Sequence, residues 1–324
     1  MRVALLVNKD NVERYTPPGT IPADWELFHL GNDSPPDVDK LIATNAEAVL
    51  VDPILPFTAA MIKGLPQLKL IHSQGVAYNL IDLEAARKAG VYVCNCAGVN
   101  APAVAEQAIL LMLALLRRFG EYEKMVYAAR QIEAKNACFK NGLTELASCH
   151  VGIIGLGATG RELAKRLQAF GCKVSYYSRR EVPGCGLPRI PLDEIYRQCD
   201  IISLHVPVTA ETTGMINDAA FNKMKRGAIL INTARGELVD QEALCRALMD
   251  GRLGGAGLDT LSPEPVRPDN PVINLPEEVR HKVALSPHIA GITAESFRRS
   301  SAVIWDNMKR VSTGQRPLNI VNGL

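Results

Sequence analysis

The stretch VGIIGLGATGRELAKRL, from Val151 to Leu167, narrows the folds open to this chain more than any other. An apolar run of strand character leads into Gly155, Gly157 and Gly160, spaced as GxGxxG, and an amphipathic helical pattern follows. Each glycine answers a separate need. One permits a tight turn, one lets the backbone approach a pyrophosphate, and one lets the helix pack close to the strand. The start of the helix then offers unpaired N–H groups and a partial positive charge to phosphate oxygens. Three glycines in a turn are often only a turn, but a strand before and a helix after are the context that marks a dinucleotide site.

Strands and helices keep alternating beyond that turn. Strands are predicted over Val151–Ile154, Lys173–Tyr177, Ile201–Val206, Ala228–Asn232, Gly255–Leu258 and Val283–Ser286, and helices over Gly160–Phe170, Asp218–Met224 and Asp240–Met249. Short apolar strands between helices imply a parallel sheet covered on both faces, a doubly wound α/β domain. The N-terminal hundred residues carry VALLV, AVLV, LKLIHS and VYVCN between helix-length segments, a second and smaller α/β unit. Between the two, NAPAVAEQAILLMLALLRRFGEYEKM predicts one helix, with Asn100 near its start and Pro102 in its first turn. A helix apolar on nearly all sides is expected to be covered on nearly all sides, between domains or in a subunit interface. The last helix, around Glu295–Val311, is expected to run back to the first unit.

At 324 residues the chain has length for two domains, each with its own core. The longest apolar run, AILLMLALL, is nine residues, about half of what a membrane span needs, and MRVALLVN enters a strand with no charged leader. A cytoplasmic protein is expected. Its formal net charge of +2 points to no charged partner, and neither nucleic acid nor membrane is expected as one. The eight cysteines form no CxxC pair, and CNC at Cys94–Cys96 lacks a second pair or a nearby histidine. Reduced thiols and no metal site are expected.

Three polar groups follow strand-like runs where scaffold residues alone would serve. In NTARGELVD, Arg235 places a permanent cation beside Gly236; in AGLDTLSPEP, Asp259 and Glu264 follow a strand and precede prolines; in ALSPHIAGIT, His288 follows a third strand. Singly, each reads as a surface pair, a solvated carboxylate or a core histidine. Together, at the strand ends where ligands of such sheets gather, they are what carbonyl reduction requires. A guanidinium grips a carboxylate and polarises its neighbouring carbonyl. An imidazolium delivers the proton, and an adjacent carboxylate orients the ring and favours its charged form.

With these residues in place, the chain resembles the D-isomer-specific 2-hydroxyacid dehydrogenases over nearly its whole length. The resemblance runs through GVAYNLID, VAEQAI, VGIIGLGATG, LHVPVTAETTGMI, NTARGELVD, GLDTLSPEP and SPHIAGIT in that order. It implies a Rossmann-type nucleotide domain, residues 99–289, inserted into a flavodoxin-like substrate domain built from 1–98 and 290–324, and a homodimer formed largely through the helix near Asn100. It implies His288 as acid/base, Glu264 as its partner, and Arg235 on the substrate's carboxylate and carbonyl. Backbone N–H groups near Val76 and Ala77 would complete the carboxylate site, with Tyr78 beside them. Asp259 would bind the nicotinamide carboxamide, Ala158 and Thr159 would lie on the pyrophosphate, and Val206, Pro207, Thr212, Thr233 and Ala234 would line the cofactor. The substrate it implies is a small 2-keto or 2-hydroxy acid. The competing class is a non-catalytic dinucleotide-sensing protein of the corepressor type, which shares the fold and the same residues.

Two departures from the family pattern matter. Ala77 stands where glycine is frequent, narrowing the space beside the substrate carboxylate. In SYYSRR, Ser178 stands where members that prefer NAD carry an aspartate on the adenosine ribose. That aspartate would repel a 2′-phosphate by roughly 4 kcal/mol at 4 Å and an effective dielectric of about 20. Without it, Arg179 and Arg180 offer a positive clamp and the Ser178 hydroxyl a donor. NADP(H) is the favoured cofactor, with NAD(H) still possible.

Overall fold

The computed structural model describes residues 1–33 and 35–324, which divide into two compact units, Met1–Asn100 with Ile292–Leu324 and Ala101–Gly291. In the first unit, β1 (Arg2–Leu6), β2 (Glu26–His29), β3 (Ala48–Val51), β4 (Leu70–Ser73) and β5 (Tyr92–Cys94) form a parallel sheet in the order β2-β1-β3-β4-β5. This is the flavodoxin-like order. Side chains alternate between two cores: Ala4, Leu6, Val49 and Val51 face one, while Val3, Leu5, Ala48 and Leu50 face the other. Helix Ala294–Ser312 supplies Ile304, Trp305, Met308 and Val311 to the second of these cores. The edge strand β2, ELFH, was not among the expected strands, because its half-exposed residues make no apolar run.

In the second unit, β6 (His150–Ile154), β7 (Lys173–Tyr177), β8 (Ile201–Leu204), β9 (Ala228–Asn232), β10 (Leu253–Leu258) and β11 (Val283–Leu285) are all parallel, in the order β11-β10-β9-β8-β6-β7. β6, β8 and β9 are buried throughout, which is why they read as unbroken apolar runs. Helices Ala101–Leu116 and Ala158–Ala169 pack on one face, and helices Leu192–Gln198, Asp218–Lys223 and Gln241–Met249 on the other. Winding reverses between β6 and β8, so a crevice opens at their C-terminal ends. Among the described residues, no helix is long and apolar enough to cross a membrane.

Several boundaries differ from expectation. The single helix expected after Asn100 breaks: Ala101–Leu116 ends, Arg118 takes a left-handed conformation (φ 49°), and Phe119–Tyr127 begins a new helix. The Arg118 guanidinium, 2.7 Å from Glu121, holds that corner. A further helix, Gln131–Asn141, fills a passage that had looked irregular. Helix Ala158–Ala169 starts two residues before Gly160, because Gly157 takes the extended N-cap position. β8 stops at Leu204, leaving Val206 and Pro207 in a loop. Helix Leu192–Gln198 was not expected, although Asp193 and Glu194 in its first turn, right after Pro191, are ordinary start signals.

Candidate active site

The glycine turn has the stereochemistry its spacing demands. Gly155 has φ +99°, and a Cβ there would lie 2.4 Å from the His205 carbonyl oxygen. A Cβ on Gly160 would meet the Gly155 carbonyl oxygen at 2.2 Å, so the helix can approach its strand only through glycine. A Cβ on Gly157 would meet nothing within 4 Å and would project into open space. Among the described residues no side chain caps the helix that starts at Ala158 and Thr159, which leaves its first N–H groups for an anion. The crevice beside the turn is a cavity of about 890 Å³ whose lining includes Gly155, Gly157, Ser178, Arg179, Arg180, Val206, Pro207 and Thr212. Gly160, Ala158, Thr159, Thr233, Ala234 and Asp259 stand outside that lining.

At the far end of the cavity, the turn after β7 is held by its own hydrogen bonds. The Ser178 hydroxyl donates to the Arg180 carbonyl, so its single hydrogen is committed within the turn and not free for a phosphate as expected. Arg179 and Arg180 are exposed. Across from them, the Glu211 carboxyl is held below its ordinary range, first by the Thr209 hydroxyl and in smaller part by the charge of Arg179. Thr212 accepts from Thr209 N (2.8 Å) and donates to the Pro207 carbonyl (2.7 Å), which fixes the loop carrying Val206 and Pro207.

The polar groups at the ends of β9, β10 and β11 stand on neighbouring strands, with Leu258 in register with both Asn232 and Leu285. Asn232, which the sequence reading passed over, accepts from Ala234 N (3.1 Å) and donates to the Arg235 carbonyl (2.7 Å), an Asx-type clasp on the turn that carries Arg235. A Cβ on Gly236 would lie 2.2 Å from the Leu261 carbonyl carbon, so this turn packs directly on the Glu264 loop. Half-buried Arg235 donates to the Ala234 carbonyl (2.7 Å) and, among the described residues, pairs with no carboxylate.

His288 Nδ1 lies 2.7 Å from Glu264 Oε2. An ionised carboxylate only accepts, so Nδ1 carries the hydrogen and Nε2 is the nitrogen left for chemistry. His288 sits at φ +55°, unusual for a residue with a Cβ. Asp259 imposes that conformation: its carbonyl accepts from His288 N (2.8 Å), and its carboxylate accepts from Ser286 Oγ, Ile289 N (3.0 Å) and Ala290 N (2.9 Å). Expected on the nicotinamide carboxamide, this buried carboxylate is engaged with the histidine loop in the structure. Gln107 extends the chain by donating to Ser286 Oγ at 3.0 Å. The Glu264 loop is fastened by Asn270, whose amide donates to Gln241 Oε1 and to the Ser262 carbonyl, both at 3.1 Å. Nearby, the buried hydroxyls of Thr233 and Thr260 have no hydrogen-bond partner among the described residues. Orphaned hydroxyls at this strand edge and an uncapped helix over a glycine cradle fit a bound dinucleotide.

In the first unit, the loop after β4 turns its carbonyls inward. Ser73 Oγ donates to the Ala77 carbonyl (2.6 Å) and Asn95 Nδ2 to the Val76 carbonyl (2.7 Å). Among the described residues, the N–H groups of Val76 and Ala77 donate to no protein acceptor, as an anion-binding turn requires. Tyr78 packs against the core, and its carbonyl accepts from Ile81 N at 3.1 Å.

Comparison with known proteins gives the family and the fold. Residues 109–290 match the D-isomer specific 2-hydroxyacid dehydrogenase, NAD binding domain, family. The chain is 35% identical over 290 residues to a glyoxylate reductase of Korarchaeum cryptofilum (strain OPF8), covering 88% of this chain and 83% of the relative. It is 37% identical over 279 residues to a glycerate dehydrogenase of Methylorubrum extorquens, 85% of each. Among solved structures, it is similar to a D-isomer specific 2-hydroxyacid dehydrogenase from Lactobacillus delbrueckii ssp. bulgaricus in its NAD complexed form, with TM-score 0.82 and 28% identity over 99% of this chain and 100% of that one.

Proposed function

Because this chain belongs to the D-isomer specific 2-hydroxyacid dehydrogenase family, we propose that it reduces a small 2-keto acid of the glyoxylate or hydroxypyruvate class to the D-2-hydroxy acid, with NADP(H) favoured over NAD(H). The coarse chemistry is oxidoreduction at a CH–OH carbon with a nicotinamide dinucleotide. One observation carries the finer reading: the 2.7 Å pair of His288 Nδ1 and Glu264 Oε2, on the strand edge that also presents the carboxylate-free Arg235.

A nicotinamide dinucleotide, when bound, would supply the hydride for the carbonyl carbon. The first-turn N–H groups at Ala158 and Thr159 would hold its pyrophosphate, Val206, Pro207 and Thr212 would line its path, and Thr233 and Ala234 would meet it at the end of β9. Arg235 would grip the substrate carboxylate and polarise the adjoining carbonyl. His288 Nε2–H would give its proton to the carbonyl oxygen, and in the reverse direction Nε2 would accept the hydroxyl proton. Glu264 holds the ring in the tautomer that makes this possible. Asp259 acts by fixing the backbone of the histidine loop. The backbone N–H groups of Val76 and Ala77 would complete the substrate's carboxylate site.

The cofactor reading is supported by Ser178 at the end of β7, where a carboxylate would repel a 2′-phosphate, and by the cations Arg179 and Arg180 on the cavity lip. A cytoplasmic homodimer completes the proposal. The dimer is supported by the exposed apolar side chains of Phe119, Tyr127, Ile132 and Phe139 on the two helices after Arg118.

Loss of reduced-nicotinamide absorbance with a panel of 2-keto acids tests the activity. Glyoxylate or hydroxypyruvate should turn over with NADPH, and His288→Asn should lower kcat by about 10²–10⁴. No turnover of any 2-keto acid by the unmodified protein would turn the reading toward a dinucleotide sensor.

A further inference from the structure

Arg189 lies eleven residues beyond Ser178 and has no place in the cavity lining, yet its side chain reaches the turn that carries Arg179 and Arg180. It stands on a short segment that extends the sheet past its last strand: Tyr176 N donates to the Pro188 carbonyl and Ile190 N to the Tyr176 carbonyl, each at 3.0 Å. From there the guanidinium spans two carbonyls. Nε and Nη2 donate to the Ser178 oxygen at 3.1 and 3.0 Å, and Nη2 also donates to the Arg179 oxygen at 3.1 Å. On the other side of the turn, the buried Tyr176 hydroxyl accepts from Val182 N at 3.1 Å. The loop from Ser178 to Val182 is therefore fastened at both ends, with the Ser178 hydroxyl bonded to the Arg180 carbonyl between them.

Two carbonyl oxygens turned toward a phosphate would oppose it, and a loose turn would have to be ordered on binding. A planar guanidinium answers both problems, because it draws the two oxygens to itself and fixes their direction with several bonds. We infer that Arg189 is a positioning residue for cofactor discrimination, setting the backbone of Ser178 and Arg179 from behind so that the arginines at the cavity lip meet a 2′-phosphate already in place. The inference rests on the NADP(H) reading above.

Equilibrium binding of NADPH and NADH to the whole protein, followed by reduced-nicotinamide fluorescence with no keto acid present, separates the possibilities. The unmodified protein should bind NADPH at least about tenfold more tightly than NADH. Arg189→Lys keeps the charge but lacks the fork, and it should lose most of that factor while binding NADH within about twofold of the unmodified protein. Arg189→Ala should do the same, with Arg189→Lys deciding the matter if the alanine variant folds poorly. Full NADPH preference in Arg189→Lys would overturn the positioning role, since charge alone would then suffice. Equal weakening of both cofactors would also overturn it, in favour of a merely structural role. An unmodified protein with no preference would remove the NADP(H) reading itself, and this inference with it.

Discussion

His72 shows how far one buried side chain ties stability to pH. It is fully buried on β4, where Nδ1 donates to the Ser73 carbonyl (2.8 Å) and Nε2 accepts from Asn307 Nδ2 (3.1 Å), an arrangement open only to the neutral ring. Burial pushes its pKa down to about 4. In the unfolded chain it titrates near 6.5, so between those values the unfolded state binds more protons and stability falls as pH falls. The loss is absent above about pH 6.5 and complete below about pH 4, at most on the order of 3 kcal/mol. Thermal melts between pH 7.5 and pH 5 should show Tm falling with acid, and His72→Asn should flatten that slope. An unchanged slope in the variant would assign the acid sensitivity elsewhere. Other residues were legible to unequal degrees. Arg235, Glu264 and His288 could be read because each follows an apolar strand run. Asn232 carried a readable signal, an asparagine closing a strand before a turn, that the reading passed over. Gln241 and Asn270 had none, because Gln241 meets Ser262 across 21 residues and Asn270 across 29, and only the fold brings them together.

The glycine turn joins strand to helix at the element scale. Gly160→Ala would force a Cβ to within 2.2 Å of the Gly155 carbonyl oxygen. Backbone cannot yield there as a flexible side chain would, so the helix must move off β6. A stability loss of about 2–4 kcal/mol is expected, read as a lower midpoint in denaturant melts, together with weakened dinucleotide binding. Gly157→Ala, whose Cβ meets no protein atom, should leave the melt nearly unchanged and weaken binding alone. Equal melts for the two variants would contradict this division of labour. The order of elements in the second unit was legible because parallel strands buried on both faces leave unbroken apolar runs. The break at Arg118 was not, since the apolar run hides a left-handed residue whose guanidinium pairs with Glu121 and lies over the Tyr122 ring. The edge strand β2 was hidden for the opposite reason, being too polar to announce itself.

For the molecule as a whole, the exposed apolar side chains after Arg118 are the surface on which the proposed homodimer rests. Tyr127 is 87% exposed and Phe139 79%, far more than isolated large side chains usually are, and they belong to adjacent helices. Light scattering after gel filtration should give twice the mass of one chain, and Phe139→Asp combined with Tyr127→Glu should halve it. A monomeric unmodified protein would count against the homodimer. The two units were legible as two series of strands, but the turn at Ser178–Arg180 was legible only as an absence, a carboxylate missing where NAD-preferring relatives carry one. In the structure the Ser178 hydroxyl donates within its own turn and Arg189 donates to that turn, so under the NADP(H) proposal discrimination would fall to Arg179 and Arg180. The most direct test is kcat/KM for glyoxylate or hydroxypyruvate reduction, measured with NADPH and with NADH on the unmodified protein. A ratio of about tenfold or more in favour of NADPH, eroded by Arg179→Ala, is the predicted result, and equal efficiencies with the two cofactors would contradict it.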